Sequence, residues 1–321
     1  MKKIPTFFTF VLIFFLSFSA DATRYLIPGG QVIGMELQDN AVTVSAFDPE
    51  LGQNAKAAGL REGDRILRID DTTVHSTSDV KAALTQARGA VQISLLRGSK
   101  AKRLTLTPAI TKDGPRLGVY LKQGTTGIGT VTYYDPESRD FAALGHGVNT
   151  KNGELLRLVS GNVYAANIQT VKKGAAGTPG QLMGALSSAD VLGDIRKNTR
   201  QGVFGSMANT AKTAGAALPA AEASQIHTGD AVILSTVSDQ GLREYSVEIL
   251  KIYPNTERTR NMLLKVTDPA LLAATGGIVQ GMSGSPIIQD GKLVGAVTHV
   301  LVNDPTMGYG IFIENMLDAA A

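Results

Sequence analysis

Gly281-Met282-Ser283-Gly284-Ser285-Pro286 runs straight into Ile287-Ile288-Gln289-Asp290-Gly291-Lys292-Leu293-Val294-Gly295-Ala296-Val297. Two apolar runs around Asp290-Gly291 read as a β-hairpin, because Asp-Gly supplies the positive φ angles that a two-residue turn requires. Ser283 therefore sits in a glycine-bounded loop just before a strand. Glycines let such a loop bend until the N–H groups of Gly281 and Ser283 point at one spot, as in an oxyanion hole beside a nucleophilic serine. The strand-to-helix elbow Gly-x-Ser-x-Gly does not fit, since position 285 is serine and a strand follows. On the motif alone, a plain glycine-rich turn between two strands reads equally well.

A chain of 321 residues, 43% apolar, can bury a full core and is long enough for two domains. Its 35 glycines and few aromatics favour a mainly β, turn-rich structure. Met1-Lys2-Lys3, an apolar run from Phe7 to Phe18 and Ala20-Asp21-Ala22 match a signal peptide with an A-x-A cleavage site. Residues 1–22 are thus expected to export the chain across the cytoplasmic membrane. The run is short for a span, and a retained signal anchor stays open beside a cleaved signal. Without that segment the chain carries 29 basic and 27 acidic residues, a net charge of +2, which is no nucleic-acid signature. There is no cysteine, which excludes disulfides, thiolate chemistry and Cys-ligated zinc. His75, His146, His227 and His299 have no metal-site spacing, so neither metal nor cofactor is expected.

Residues 23–110 read as a unit of their own. Gly30 to Met35 is a glycine-rich loop entering a strand, and Val42 to Phe47 is a second strand with period-2 alternation. Ser76-Thr77-Ser78-Asp79 has capping-box spacing and opens a helix through Val80, Ala83, Leu84 and Ala87. Two strands, Val91 to Leu96 and Arg103 to Thr107, follow. This order, and above all Ala58-Gly-Leu-Arg-Glu-Gly-Asp-Arg-Ile-Leu67, resembles a PDZ domain. The resemblance implies a groove at Gly30, Val32, Ile33 and Gly34, against the helix from Ser78, where a peptide ligand adds as an extra strand. A small structural β-domain without a ligand is the plainer alternative.

Residues 111–321 open with a linker at Thr111 to Pro115. Short β patterns then recur at Leu117 to Leu121, Gly129 to Tyr134, Leu155 to Val159, Val163 to Val171, Val232 to Val237, Tyr245 to Ile252, Asn261 to Val266 and Gly310 to Glu314. Many short strands suggest barrels or sandwiches. Lys173 to Gly180 lacks P-loop or GxGxxG spacing and reads as a long turn. A serine nucleophile needs a base that titrates near neutrality. His146, between small residues in Ala142-Ala-Leu-Gly-His-Gly147, ranks narrowly ahead of His227 in a polar turn and His299 on the strand after the Ser283 hairpin.

The order His146, Asp, Ser283 in a Gly-x-Ser-Gly-x-Pro loop resembles chymotrypsin-like serine peptidases, which implies a double β-barrel after the PDZ domain. Residues 24–318 resemble, more narrowly, the stage IV sporulation protein B peptidase family of endospore-forming bacteria. The carriers are Leu26-Ile-Pro-Gly-Gly-Gln31, Gly127-Ile-Gly-Thr130, Ala143-Leu-Gly-His-Gly147, Gly202-Val-Phe-Gly205, Thr267-Asp-Pro269 and the run from Thr275 to Thr306. That family implies a sporulation signalling serine endopeptidase in the space between forespore and mother cell. It would cleave itself and a regulator of a membrane-embedded protease, so activating a late mother-cell sigma factor. Carried over by position, the triad is His146, Asp268 and Ser283, with Gly281 and Ser283 holding the oxyanion. The wider chymotrypsin-like pattern would instead put the acid near Asp194. The family position favours Asp268. The rival from another class is a PDZ scaffold whose barrel has lost catalysis.

Overall fold

The Ser283 hairpin belongs to a closed barrel in the computed structural model, which describes residues 23–150, 153–208, 215–254 and 259–321. The leader-like residues 1–22 lie outside the described residues. Among those described, no helix is long and apolar enough to cross a membrane. Six strands close this barrel in the order Gly229–Thr236, Leu242–Ile252, Met262–Val266, Asp304–Phe312, Lys292–Leu301 and Pro286–Gln289. Alternation along each strand turns Ile233, Val247, Ile249, Leu264, Ile287 and Val297 into one core. Asp290 (φ 49°) and Gly291 (φ 72°) make the expected two-residue turn.

The first barrel closes by a different route. Val32–Phe47 pairs with Val119–Tyr134, and the ring continues through Asp140–Ala143, Gly202–Met207, Gln181–Thr199 and Leu158–Lys172 back to Val32–Phe47. Ile33, Met35, Leu37, Val131, Phe141 and Val203 fill it. Leu26, Tyr133, Phe204, Ala296 and Ile311 seal the seam between the barrels, with Met316 of the C-terminal helix Ile313–Ala320. A double β-barrel with a PDZ unit is therefore the architecture of this chain. The strands Gln181–Thr199 and Gly202–Met207 carry no β pattern in the sequence. They are rich in Gly, Ala and Ser, and Gly193 and Gly205 lie so close to the facing backbone that a Cβ would overlap it, which removes the usual β-forming side chains.

Both long strands of the first barrel continue outward into the PDZ unit. Val42 and Thr43 pair with Ile66 and Arg65, and Val119 to Gln123 pair back onto Phe47 to Val42. The register shifts between Leu37 and Val42, where the Asp39 carboxylate accepts the N–H groups of Ala41 and Gly124. The PDZ helix Thr77–Gln86 is held by the Ser76/Asp79 capping box and presses Val80, Ala83 and Leu84 onto Val42, Ile66 and Ile93. The PDZ unit is thus an insertion between two paired strands. The sequence expectation put the PDZ unit at 23–110 and the barrels at 111–321, whereas Val32 to Leu37 already belong to the first barrel and Val119 to Leu121 pair within the PDZ unit.

Candidate active site

Ser283 is aimed by glycines that tolerate no side chain. Gly281 (φ 101°) and Gly284 (φ 98°) both lie in the left-handed region, and a Cβ on Gly284 would overlap the Thr130 carbonyl oxygen. The N–H groups of Met282, Gly284 and Ser285 donate to Val279, Val297 and Met282 carbonyls. Those of Gly281 and Ser283 donate to no protein acceptor among the described residues. The two donors of an oxyanion hole are thereby left open, beside a serine whose Oγ donates to the Thr298 carbonyl at 2.8 Å. Ser285, two residues on, is fully buried, and its hydroxyl donates to Ser235 at 3.0 Å. It anchors the loop to the second barrel.

His146 comes from the first barrel. After Asp140–Ala143 the chain turns through Leu144 (φ 72°) and Gly145 (φ 65°), and a left-handed leucine in a buried turn is strained. The strain is held by Leu144 N–H on the Thr130 carbonyl at 3.2 Å. A Cβ on Gly145 would sit 2.9 Å from the Thr298 side chain, so only glycine lets the turn approach the second barrel this closely. The His146 Nδ1 lies 3.0 Å from the Gly147 carbonyl. A carbonyl only accepts, so Nδ1 carries the proton and Nε2 is left basic. Burial pushes the His146 pKa below its ordinary value, although the Gly147 bond opposes this.

The two loops meet on a cavity of about 520 Å³ that His146, Ser283 and His299 all line. The His146 and His299 rings lie 5.2 Å apart, tilted by 43°. Thr130 ties the loops together. Its N–H donates to Ser283 O at 3.1 Å, its hydroxyl to Gly281 O at 2.7 Å, and its carbonyl receives Leu144. In the sequence Thr130 is only the end of the motif Gly127-Ile-Gly-Thr130. Its small polar side chain after Gly127-Ile-Gly, with Gly129 before it, was the available signal.

Asp268, the acid expected from the resemblance, lies at a helix start. Asp268 is the N-cap of the helix Pro269–Thr275, its carboxylate accepting Leu271 N–H at 2.9 Å and Ser246 N–H at 3.4 Å. It does not line the cavity, and its bonds are to backbone rather than to His146. Those two N–H donors take two of the roughly four acceptor sites of the carboxylate. Asp194, the alternative, lies on a strand at the surface, with Arg196 at 2.8 Å and the Ser206 hydroxyl at 2.9 Å. His227 is exposed and pairs with Asp290. Among the described residues, no cluster of acidic and histidine side chains could hold a metal ion.

The groove expected at Gly30, Val32, Ile33 and Gly34 is corrected. Val32 and Ile33 pair with Thr130 and Gly129 on one side, Ile33 and Gly34 with Ala165 and Tyr164 on the other, and a Cβ on Gly34 would overlap Leu186. Gly30 takes both the N–H and the hydroxyl of Thr236 on its carbonyl. These residues are interior strand of the first barrel, with no edge left for a peptide. The open PDZ edge is Leu117 to Leu121, which pairs on one side only and faces Val80, Lys81 and Leu84 of the helix across a cleft of about 730 Å³.

A model of the SpoIVB peptidase S55 family matches residues 113–317. The chain belongs to the SpoIVB peptidase S55 family. A PDZ domain model matches residues 31–107 of this S55 peptidase. No curated protein matches it. Among solved structures, the inactive form of Rv3671c protease is 13% identical, with a TM-score of 0.34 over 60% of this chain and 81% of that one. The active form, from M. tuberculosis, is 15% identical with a TM-score of 0.33, over 60% of this chain and 72% of that one. Likenesses this loose carry no argument about the site. The S55 peptidase is a serine peptidase by its family.

Proposed function

We propose that this serine peptidase is a sporulation signalling endopeptidase, exported into the space between forespore and mother cell, anchored there or released. It cleaves itself and a regulator of a membrane-embedded protease, and so activates a late mother-cell sigma factor. The family match and the leader-like start of the chain support this reading. The observation that carries the chemistry is the cavity where His146 and Ser283 meet beside two unused N–H donors.

In the reaction, Ser283 Oγ leaves the Thr298 carbonyl and gives its proton to His146 Nε2 as it attacks the scissile carbonyl. The charge that grows on the carbonyl oxygen falls to the N–H groups of Gly281 and Ser283. His146 then protonates the leaving nitrogen and later activates the water that frees Ser283. Asp268 acts at one remove in this arrangement, by capping the helix whose left-handed Gly276 leads into the serine loop. Substrate or the chain's own N-terminal segment adds as a strand at Leu117 to Leu121. Because that edge lies on the strand carrying Thr130, the groove adjusts the serine loop through Val119–Tyr134.

Mass spectrometry of the purified exported chain beside its Ser283→Ala form tests this. The unaltered chain is expected to be shortened at its own cleavage sites and the Ser283→Ala chain to remain whole. Equal shortening of both would contradict it.

A further inference from the structure

An oxyanion hole needs the Gly281 and Ser283 N–H groups turned into the cavity, and a peptide plane keeps one orientation only where something holds its carbonyl. In a trans peptide the C=O and the following N–H point in opposite directions, and no peptide bond among the described residues is cis. The Ser283 N–H is aimed from within the loop, because the Met282 carbonyl of the same peptide accepts Ser285 N–H at 3.0 Å. The Gly281 N–H is aimed from outside it. The Gln280 carbonyl accepts Leu182 N–H at 2.8 Å, and Gln280 N–H donates to the Gly180 carbonyl at 3.0 Å, which makes a parallel bridge between Gln181 and Gln280. These partners follow the glycine-rich turn of residues 173–180, which joins two strands of the first barrel and is seated on the second. Gly174 N–H donates to the Thr275 carbonyl at 2.8 Å and Gly177 N–H to the Val302 carbonyl at 2.9 Å. The seat is made for glycine: a Cβ on Gly180 would overlap the Gly174 nitrogen and the Lys172 carbonyl oxygen, and one on Gly276 the Gly174 carbonyl oxygen.

We propose that the turn of residues 173–180 is a clamp for the oxyanion hole, with Leu182 as the positioning residue whose N–H holds the Gln280–Gly281 peptide in its productive orientation. The inference rests on the serine peptidase reading. Gly281 has a φ of 101° and no side chain, so its own residue does not resist rotation of that peptide. Such a rotation would turn the Gln280 carbonyl toward the cavity and put an acceptor where the negative oxygen forms. The clamp opposes it, because the rotated peptide would leave the N–H of the fully buried Leu182 without an acceptor. The turn belongs to the first barrel and is anchored on the second, so the hole is complete only while the turn is seated. Its residues touch no reacting atom, and they act through the Gly281 N–H alone.

The test is fluorophosphonate labelling of the full exported chain, resolved into the maximal rate and the reagent concentration that gives half of it. Replacing Leu182 by its α-hydroxy acid turns one backbone amide into an ester, which deletes the N–H and keeps the side chain. That chain is expected to lose about 10²- to 10³-fold in maximal rate, the worth of one oxyanion-hole donor, with the half-rate concentration unchanged. Gly180→Ala, which pushes the turn out of its seat, is expected to show the same split. A turn that only supported the fold would lower the melting temperature and leave the folded chain's maximal rate at the wild-type value. That result in the ester chain, or a loss confined to the half-rate concentration, would overturn the proposal. If one of the two altered chains fails to fold, the other decides. Labelling that survives Ser283→Ala would instead defeat the serine peptidase reading, and this proposal with it.

Discussion

The inner and outer halves of the two long strands, Val32–Phe47 and Val119–Tyr134, behave as different structures. The inner half of Val32–Phe47 is paired on both edges, while Val119–Tyr134 gains its second neighbour only at Val131 to Tyr134, and together they line the catalytic cavity with Met35, Leu37 and Ile128. The outer halves belong to the PDZ core, and beyond Leu117 one edge is open toward the helix Thr77–Gln86. A strand can accept a peptide only where its hydrogen bonds are unspent. The two ends of the same strands therefore border different clefts, the catalytic cavity and the PDZ cleft, with Thr130 at the junction to the serine loop.

The sharpest way to break this division is a pair of glycine substitutions. Gly284→Ala puts a Cβ onto the Thr130 carbonyl at φ 98°, and Gly118→Ala puts one onto the Leu51 carbonyl at φ 74°. Each costs on the order of 1–3 kcal/mol from the backbone alone. Gly284→Ala is expected to abolish fluorophosphonate labelling. Gly118→Ala is expected to keep labelling while limited proteolysis opens the PDZ unit. Loss of labelling in both would mean that the two ends are one cooperative structure.

A smaller effect follows from pH. His146 and His299 are both held below the ordinary imidazole value of 6.5 by burial, His299 near 4. Between these values the unfolded chain takes up protons that the folded chain refuses. The stability that depends on neutral imidazoles is present above about pH 6.5 and is lost as pH falls toward 4. Melting temperature is expected to drop over that interval, and less steeply in His299→Gln. An equal slope in that variant would detach His299 from the buried pair.

The smallest effect is expected at Asp268. Replacing it by alanine removes an N-cap and about 1 kcal/mol of stability, with labelling at the wild-type rate. A loss of about 10⁴-fold in labelling, with unchanged melting, would restore the carboxylate to the triad.

The outcomes for particular residues explain what was legible beforehand. The Ser283 hairpin was readable because Asp290-Gly291 encodes its turn locally, and the PDZ helix because Ser76 and Asp79 encode its start. Gly30 to Gly34 carried the local signature of a loop entering a strand, which is correct. Which neighbours that strand takes is decided by barrel closure, a tertiary event with no local mark. The family position marks Asp268 as the acid, while Asp268-Pro269 and Gly276 together spell a capped helix with proline at its first position and glycine at its end. The meeting of His146 with His299 joins two barrels and had no sequence signal beyond the two histidines themselves.

The most direct measurement maps which residue carries the fluorophosphonate after reaction at neutral pH, by peptide mass spectrometry of the exported chain. The expected result is a single adduct on Ser283, absent from Ser283→Ala and retained in Ser285→Ala. An adduct on Ser285, or none on any serine of the folded chain, would contradict a peptidase built on the Ser283 loop.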